Sequence, residues 1–269
     1  MYAWDYNGPS LLVTWNFTSR TLTSLFATSD GRVFASTFTS SNVSEILVWG
    51  SEETTRTIVM PTNKSCDGLF VVRTDWLYCS LSEAHSVLML HLNTSSNTSS
   101  SIAGGSEAGN EAYLLNAPAG IFVTDDFKLY VADSGNDRIQ RFLQGNLSAT
   151  TVAGTEVAGT TDLSGPSAVV LDADEYMFIV DQNNNRIVGE GPDGFRCIAG
   201  CSPASPLTMP RGLSFDSHGN IFVAETGNNR ILKFLLSDND CGKFARDQFS
   251  KSHPHKVNVH LPIESTYQE

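Results

Sequence analysis

The chain has 269 residues, with 17 basic and 29 acidic side chains and a formal net charge of −12. At 41% hydrophobic it can bury a core, which excludes wholesale disorder. No apolar run approaches the roughly 20 residues that a membrane-spanning helix needs, and the acidic balance argues against broad phosphate-backbone binding, which depends on clustered Lys and Arg.

In chain order, Met1–Trp15 has no basic start and no long apolar stretch, so it does not read as a secretory signal. Leu11–Trp15 is expected as an outer strand that completes the last sheet. A hairpin then runs from Ser24-Leu25-Phe26-Ala27 through the turn Ser29-Asp30-Gly31 to Phe34. A second runs from Gly68-Leu69-Phe70-Val71 through Arg73-Thr74-Asp75 to Tyr78. The third joins Gly120–Val123 to Leu129–Asp133 through Asp125-Asp126, the fourth joins Ala168–Leu171 to Met177–Asp181 through Asp172-Ala173-Asp174, and the fifth joins Gly212–Phe215 to Ile221–Glu225 through Ser217-His218-Gly219. Short apolar runs on both sides of a polar turn specify β-hairpins.

These hairpins are one unit repeated. In each, ten residues separate the first small residue from an aromatic, and the aromatics Phe34, Tyr78, Tyr130, Phe178 and Phe222 are spaced by 44, 52, 48 and 44 residues. A third strand alternates, as in Arg138–Phe142 and Arg230–Phe234, and so has one buried and one wetter face. A fourth ends in a glycine turn, at Ile102-Ala103-Gly104, Val152-Ala153-Gly154 and Ile198-Ala199-Gly200. Four short antiparallel strands per repeat of about 40–50 residues are the signature of a β-propeller blade.

Pro118-Ala119-Gly120-Ile121 through Tyr130-Val131-Ala132-Asp133-Ser134-Gly135-Asn136-Asp137-Arg138-Ile139 resembles the NHL repeat, as do Pro210 to Ile231 and Pro166 to Ile187. The eponymous His is replaced by Asp137, Asn185 and Asn229. The resemblance covers Ile102–Phe234, is faint over Leu11–Leu92, and is absent after Leu236. It implies an all-β, NHL-type propeller of four-stranded blades occupying residues 1–236. Residues 237–269 form a C-terminal tail, either a partial blade or disordered. Five repeats are visible. Because NHL-like propellers are usually six-bladed, the expected architecture has an incomplete or irregular sixth blade, with Val257–Leu261 as its alternating stretch; a closed five-bladed ring is the alternative.

Asp133, Asp181 and Glu225 each stand five residues before Arg138, Arg186 and Arg230, with Asn136, Asn184 and Asn228 between. A residue that recurs in every blade does the same work in each, whereas catalysis needs one asymmetric constellation. These groups are therefore read as structural, the carboxylate tying the second strand to its turn. Cys66 with Cys79, and Cys197 with Cys201, are expected to form two disulfides and leave Cys241 unpaired, which favours an oxidising compartment. Six sequons, at Asn16, Asn42, Asn63, Asn93, Asn97 and Asn146, agree with an extracellular glycoprotein whose signal lies outside this chain.

The histidines His85, His91, His218, His253, His255 and His260 do not form a metal-ligand pattern, and no nucleophile elbow or phosphate loop is present. No catalytic, cofactor-binding or metal-ligating residues are assigned. The expected function is a non-catalytic scaffold presenting loops, around Ser134–Asn136, Gln182–Asn184 and Thr226–Asn228, to a protein or glycan ligand. Two alternatives follow from the resemblance. Related propellers include metal-dependent hydrolases and lyases, with ligands drawn from several blades to the central channel; and NHL domains on ubiquitin-ligase tripartite motifs bind RNA, which the acidic charge disfavours.

Overall fold

A computed structural model describes residues 2–4, 11–14, 20–39, 44–50, 57–62, 64–73, 75–93, 98–155, 157–203, 206–216 and 218–234. Apart from three one-turn 3₁₀ segments, its regular structure is all β. A two-stranded sheet pairs β1 (Tyr2–Trp4) with β2 (Leu11–Thr14). Blade 1 contains β3 (Arg20–Ala27), β4 (Val33–Thr39), β5 (Ser44–Trp49) and β6 (Thr57–Thr62), and blade 2 contains β7 (Gly68–Val71), β8 (Trp76–Leu81), β9 (Ser86–His91) and β10 (Ser100–Gly104). Blade 3 contains β11 (Pro118–Val123), β12 (Leu129–Asp133), β13 (Arg138–Phe142) and β14 (Thr150–Gly154), and blade 4 contains β15 (Pro166–Leu171), β16 (Met177–Asp181), β17 (Arg186–Gly189) and β18 (Arg196–Ala199). Blade 5 contributes β19 (Pro210–Phe215), β20 (Ile221–Glu225) and β21 (Arg230–Phe234) among the described residues. The first strand of each blade is innermost, and β3, β7, β11, β15 and β19 lie side by side in that order.

The same hairpin turn recurs five times. The N–H groups of Thr28, Val72, Thr124, Asp172 and Asp216 donate to the carbonyls of Arg32, Trp76, Lys128, Tyr176 and Asn220 at 2.9–3.0 Å. Each turn needs a left-handed residue, supplied by Gly31, Asp75, Phe127, Glu175 and Gly219. Across each hairpin the repeated aromatic faces the inner strand, so Phe26 meets Phe34, Phe70 meets Tyr78 and Phe122 meets Tyr130.

A single blade is too thin to bury both faces, and the core therefore lies between blades. Ile139 and Ile187 are fully buried where blade 3 meets blade 4 and blade 4 meets blade 5. Inner strands approach so closely that a Cβ on Gly120 would stand 2.7 Å from Ser167 O and 2.8 Å from Ala168 Cα. Only glycine fits there. On the far side of blade 5 the packing stops among the described residues: Ile231, the counterpart of those two isoleucines, is 57% exposed.

One expectation changes: among the described residues the strand Leu11–Thr14 is paired with Tyr2–Trp4 and not with blade 5. The tail 237–269, with Cys241, His253, His255, His260 and Val257–Leu261, lies outside the described residues, as do Asn16, Asn42, Asn63 and Asn97.

Candidate functional site

The propeller has two chemically different ends. At one end lie the turns that follow the second strand of each blade, and here the recurring polar residues meet. Asp133 is paired with Arg138 across that turn, Asp181 with Arg186 and Glu225 with Arg230. Asp133 Oδ2 accepts Arg138 Nε at 2.7 Å and Asn136 Nδ2 at 2.8 Å, while Oδ1 accepts the backbone N–H of Asn116 at 2.6 Å. Arg138 spends its remaining donors on the carbonyls of Asn110, Glu111 and Leu114. Asp181 repeats the pattern with Arg186 Nε at 2.7 Å, Asn184 at 2.9 Å and the N–H of Ser164 at 2.7 Å. Glu225 accepts Arg230 Nε and the N–H of Thr208. Burial pushes the Glu225 carboxyl up, but hydrogen bonds from Arg230, Asn228 and the Thr208 N–H outweigh it and hold the group below its ordinary value.

All three carboxylates are buried and hydrogen-bonded on both oxygens by groups of their own blade. The turns expected to face a ligand are committed as well. Ser134 Oγ donates to Pro166 O, Asn136 also donates to Gly109 O, Thr226 Oγ1 donates to Met209 O, and Asn228 donates to Thr208 Oγ1. Blade 2 has Leu81 in place of the carboxylate. There the disulfide Cys66–Cys79, with Cα atoms 5.4 Å apart, and Asp67, which accepts the N–H of Ser82 at 3.1 Å, hold the turn; burial raises Asp67. Cys197 and Cys201 form the second disulfide.

At the other end the five hairpin turns surround an axial funnel of about 720 Å³. Its floor includes Phe26, Phe70, Phe122 and Phe215, with Phe26–Phe70 ring centroids 4.8 Å apart and Phe70–Phe122 5.1 Å apart. Asp30, Arg32, Arg73, Asp125, Asp172 and Glu175 line its mouth. Some of these charges bridge blades: Arg32 pairs with Asp75 at 2.7 Å, and Lys128 with Glu175 at 3.1 Å. Arg73 and Asp125 are exposed. Asp172 differs from its counterpart Asp216. Burial lifts Asp172 to about 6, with Asp174 and Glu190 adding repulsion, and its Oδ2 is buried without a hydrogen-bond partner. Burial also pushes Asp216 upward, but Asn220, Lys233 and two backbone N–H groups bring it down to about 2.

Of the described histidines, His85 accepts the N–H of Ala117, His91 packs edge-on against Trp76 with centroids 4.5 Å apart, and His218 donates its N–H within the Asp216 turn. Among the described residues no three His, Cys, Asp or Glu side chains converge to hold a metal. The funnel was missed by sequence reasoning because its residues do not repeat in kind; the only available signal was that five turns of one hairpin type must meet at one end.

The family model for the NHL repeat matches residues 207–234, the hairpin and third strand of blade 5. No curated protein sequence matches the chain significantly. Among solved structures, virginiamycin B lyase from Staphylococcus aureus is similar at 14% identity and TM-score 0.54, over 84% of this chain and 73% of that one. An auxiliary nutrient binding protein from Bacteroides thetaiotaomicron is similar at 14% identity and TM-score 0.64, over 85% of this chain and 62% of that one. A Bacteroides thetaiotaomicron protein of unknown function reaches 15% identity and TM-score 0.57, over 92% and 63%. At such identities the likeness is one of fold. The chain is thus a β-propeller that carries an NHL repeat at residues 207–234, and the turn geometry of that repeat recurs in blades 3 and 4.

Proposed function

We propose that the chain is a non-catalytic, extracellular binding scaffold whose axial funnel receives a ligand, and that the end of a glycan chain is the class it suits. One observation carries the reading: an aromatic floor drawn from several blades lies beneath a rim of carboxylates and guanidinium groups. Of these rings Phe122 and Phe215 are partly exposed and could meet a sugar C–H face, and hydroxyls would bridge acceptors such as Asp125 and donors such as Arg73. The two disulfides favour an oxidising compartment. Asn93 and Asn146 are exposed sequon positions, and Asn146 uses only Oδ1 within its own turn, leaving its amide nitrogen for a glycan. A binding protein among the structural neighbours is consistent with this use of the fold.

A second reading, a lyase or hydrolase, is favoured by Asp172, whose raised pKa would suit general acid–base work near neutral pH. A glycan array probed with the full chain, followed by calorimetry, separates the two. The scaffold reading expects saturable binding that weakens at least tenfold in Arg73→Ala and Asp125→Ala at unchanged melting temperature. Turnover of a bound substrate that Asp172→Asn abolishes would overturn it in favour of an enzyme. Binding confined to a protein ligand would replace the glycan.

A further inference from the structure

Six large apolar side chains stand exposed among the described residues, and three of them lie on two neighbouring loops of blade 3. Tyr113 belongs to the connection that precedes β11, and Leu143 and Leu147 to the one between β13 and β14; they are 55%, 49% and 63% exposed. The N–H of Ala149 donates to the carbonyl of Ala112 at 2.8 Å and clasps the two loops together. Single exposed leucines are ordinary, but apolar side chains gathered on one surface mark a place that something covers. Leu143–Ala149 carries no charged residue, which suits a neutral occupant.

The turn itself supplies one. Asn146, in the sequon Asn146-Leu147-Ser148, stands between the two leucines. Its N–H donates to Leu143 O at 3.0 Å and its Oδ1 accepts the N–H of Ser148 at 2.9 Å, so backbone and side chain are both held. Its Nδ2 has no partner among the described residues, and a Cβ on the adjacent Gly145 would meet nothing within 4 Å, which leaves open space beside the turn. Asn93, the other exposed sequon position among the described residues, is placed differently. Its Nδ2 donates to Asp75 Oδ2 at 2.7 Å, and Asp75 is the partner of Arg32 from blade 1.

We propose that Asn146 carries an N-linked glycan whose first N-acetylglucosamine lies on the patch of Tyr113, Leu143 and Leu147. In the attachment Nδ2 forms a bond to C1 of the sugar, and the bond from C1 to a lipid-linked pyrophosphate breaks with its electron pair leaving on the phosphate oxygen. Nδ2 gives up one of its two protons to a base of the transferring enzyme. Oδ1 is untouched, so its bond from Ser148 persists and aims the sugar. The apolar sugar face packs on the tyrosine ring and the leucine methyls. The inference rests on the extracellular part of the functional reading and is independent of what the funnel binds.

The full chain, exported from eukaryotic cells behind a signal peptide, tests it by peptide mass spectrometry and by binding of anilinonaphthalene sulfonate, a dye for exposed apolar surface. Asn146 is expected to be modified in most molecules. Ser148→Ala removes the sequon but keeps the N–H that Oδ1 accepts, and it should bind at least about threefold more dye. Leu143→Ser with Leu147→Ser, added to Ser148→Ala, should abolish the excess. If export or Ser148→Ala fails, bare chain oxidised and refolded in vitro, with and without the two leucine substitutions, decides; dye binding indifferent to them overturns the proposal. An exported, disulfide-bonded chain with Asn146 unmodified overturns it and leaves the extracellular reading intact. Equal dye binding with and without the sugar overturns the packing. Dye exclusion that rises with concentration and travels with a dimer would assign the patch to a second copy and overturn the proposal as well.

Discussion

Asp137 Oδ1 accepts the backbone N–H of Gly165 at 2.6 Å, so a turn in blade 3 fixes where the inner strand of blade 4 begins. Asp137→Ala removes that acceptor and places alanine at a φ of 53°, which Asp and Asn tolerate better. A loss of about 1–2 kcal/mol is expected. Asp137→Asn should be near neutral, because Asn185 does the same work in blade 4. Urea denaturation of the two variants checks both outcomes.

The three arginine–carboxylate pairs differ in exposure, and their removal should be felt in that order. The side chains of Arg138, Arg186 and Arg230 are 14%, 27% and 53% exposed, against carboxylates that are fully buried. Truncation strands a buried charge, at up to about 3 kcal/mol for Arg138→Ala and least for Arg230→Ala. Arg186→Ala should lower the melting temperature without altering any ligand affinity. Arg186→Lys should rescue little, since one ammonium cannot reproduce the Nε contact to Asp181 together with the Nη2 contact to Asp162 O.

Gly120→Ala sets a methyl against the backbone of Ser167 and Ala168, where no flexible side chain can give way. A loss of about 2–3 kcal/mol is expected from the forced separation of two inner strands. Gly145→Ala meets open space and should cost only about 1 kcal/mol, for its φ of 75°. Thermal melts of the pair separate crowding from backbone strain.

Cys66–Cys79 closes a separation of 13 residues with both cysteines buried, and Cys197–Cys201 closes one of 4. Loop-closure entropy makes the first worth about 3 kcal/mol and the second about 2 kcal/mol. Cys201 is exposed, so mild reductant followed by alkylation should label Cys197 and Cys201 first. Labelling of Cys66 and Cys79 should coincide with unfolding. Mass spectrometry with the melting curve gives the order.

Asp172 and Asp216 act oppositely on stability as pH changes. With its folded pKa raised from 3.8 to about 6, ionised Asp172 costs stability above about pH 6, and the cost disappears as pH falls toward 3.8. Asp172→Asn should therefore stabilise at pH 7, by about 1–2 kcal/mol after solvent screening, and give no advantage near pH 4. Asp216, lowered to about 2, stabilises above pH 3.8, and that contribution is lost as pH falls through about 2. Asp216→Asn should be the weaker protein at pH 7 and converge with the unaltered chain near pH 2. Melting temperatures across pH 2–8 test both signs.

What the sequence made legible was whatever repeats. The aromatics from Phe34 to Phe222 locate five hairpins because each must fill the same gap between inner and second strand. Asp133–Arg138 and its two copies were legible as pairs because they recur at one spacing. What repeats in role but varies in kind was not legible: Asp137 and Asn185 look like departures from a histidine, yet they accept the same N–H of the next blade that His85 accepts after blade 2. The funnel stayed hidden for the same reason, since Arg32, Arg73, Asp125 and Asp172 share a location but no chemistry. Leu11–Thr14 was correctly an extended strand, but alternation says nothing about which edge a strand selects, and Tyr2–Trp4 supplied one nearby.

The acceptor that blades 2, 3 and 4 pass to their successors also gives the molecule a direction in time. The group that waits is always made first and the N–H it captures is made later. On a ribosome adding about 5–20 residues each second, a completed blade would stand with its acceptor open for a few seconds before the following strand emerged. Assembly from the N-terminus then resembles a zip drawn one tooth at a time, and a chain stalled in synthesis would stop with a ready, unfilled tooth instead of a collapsed end.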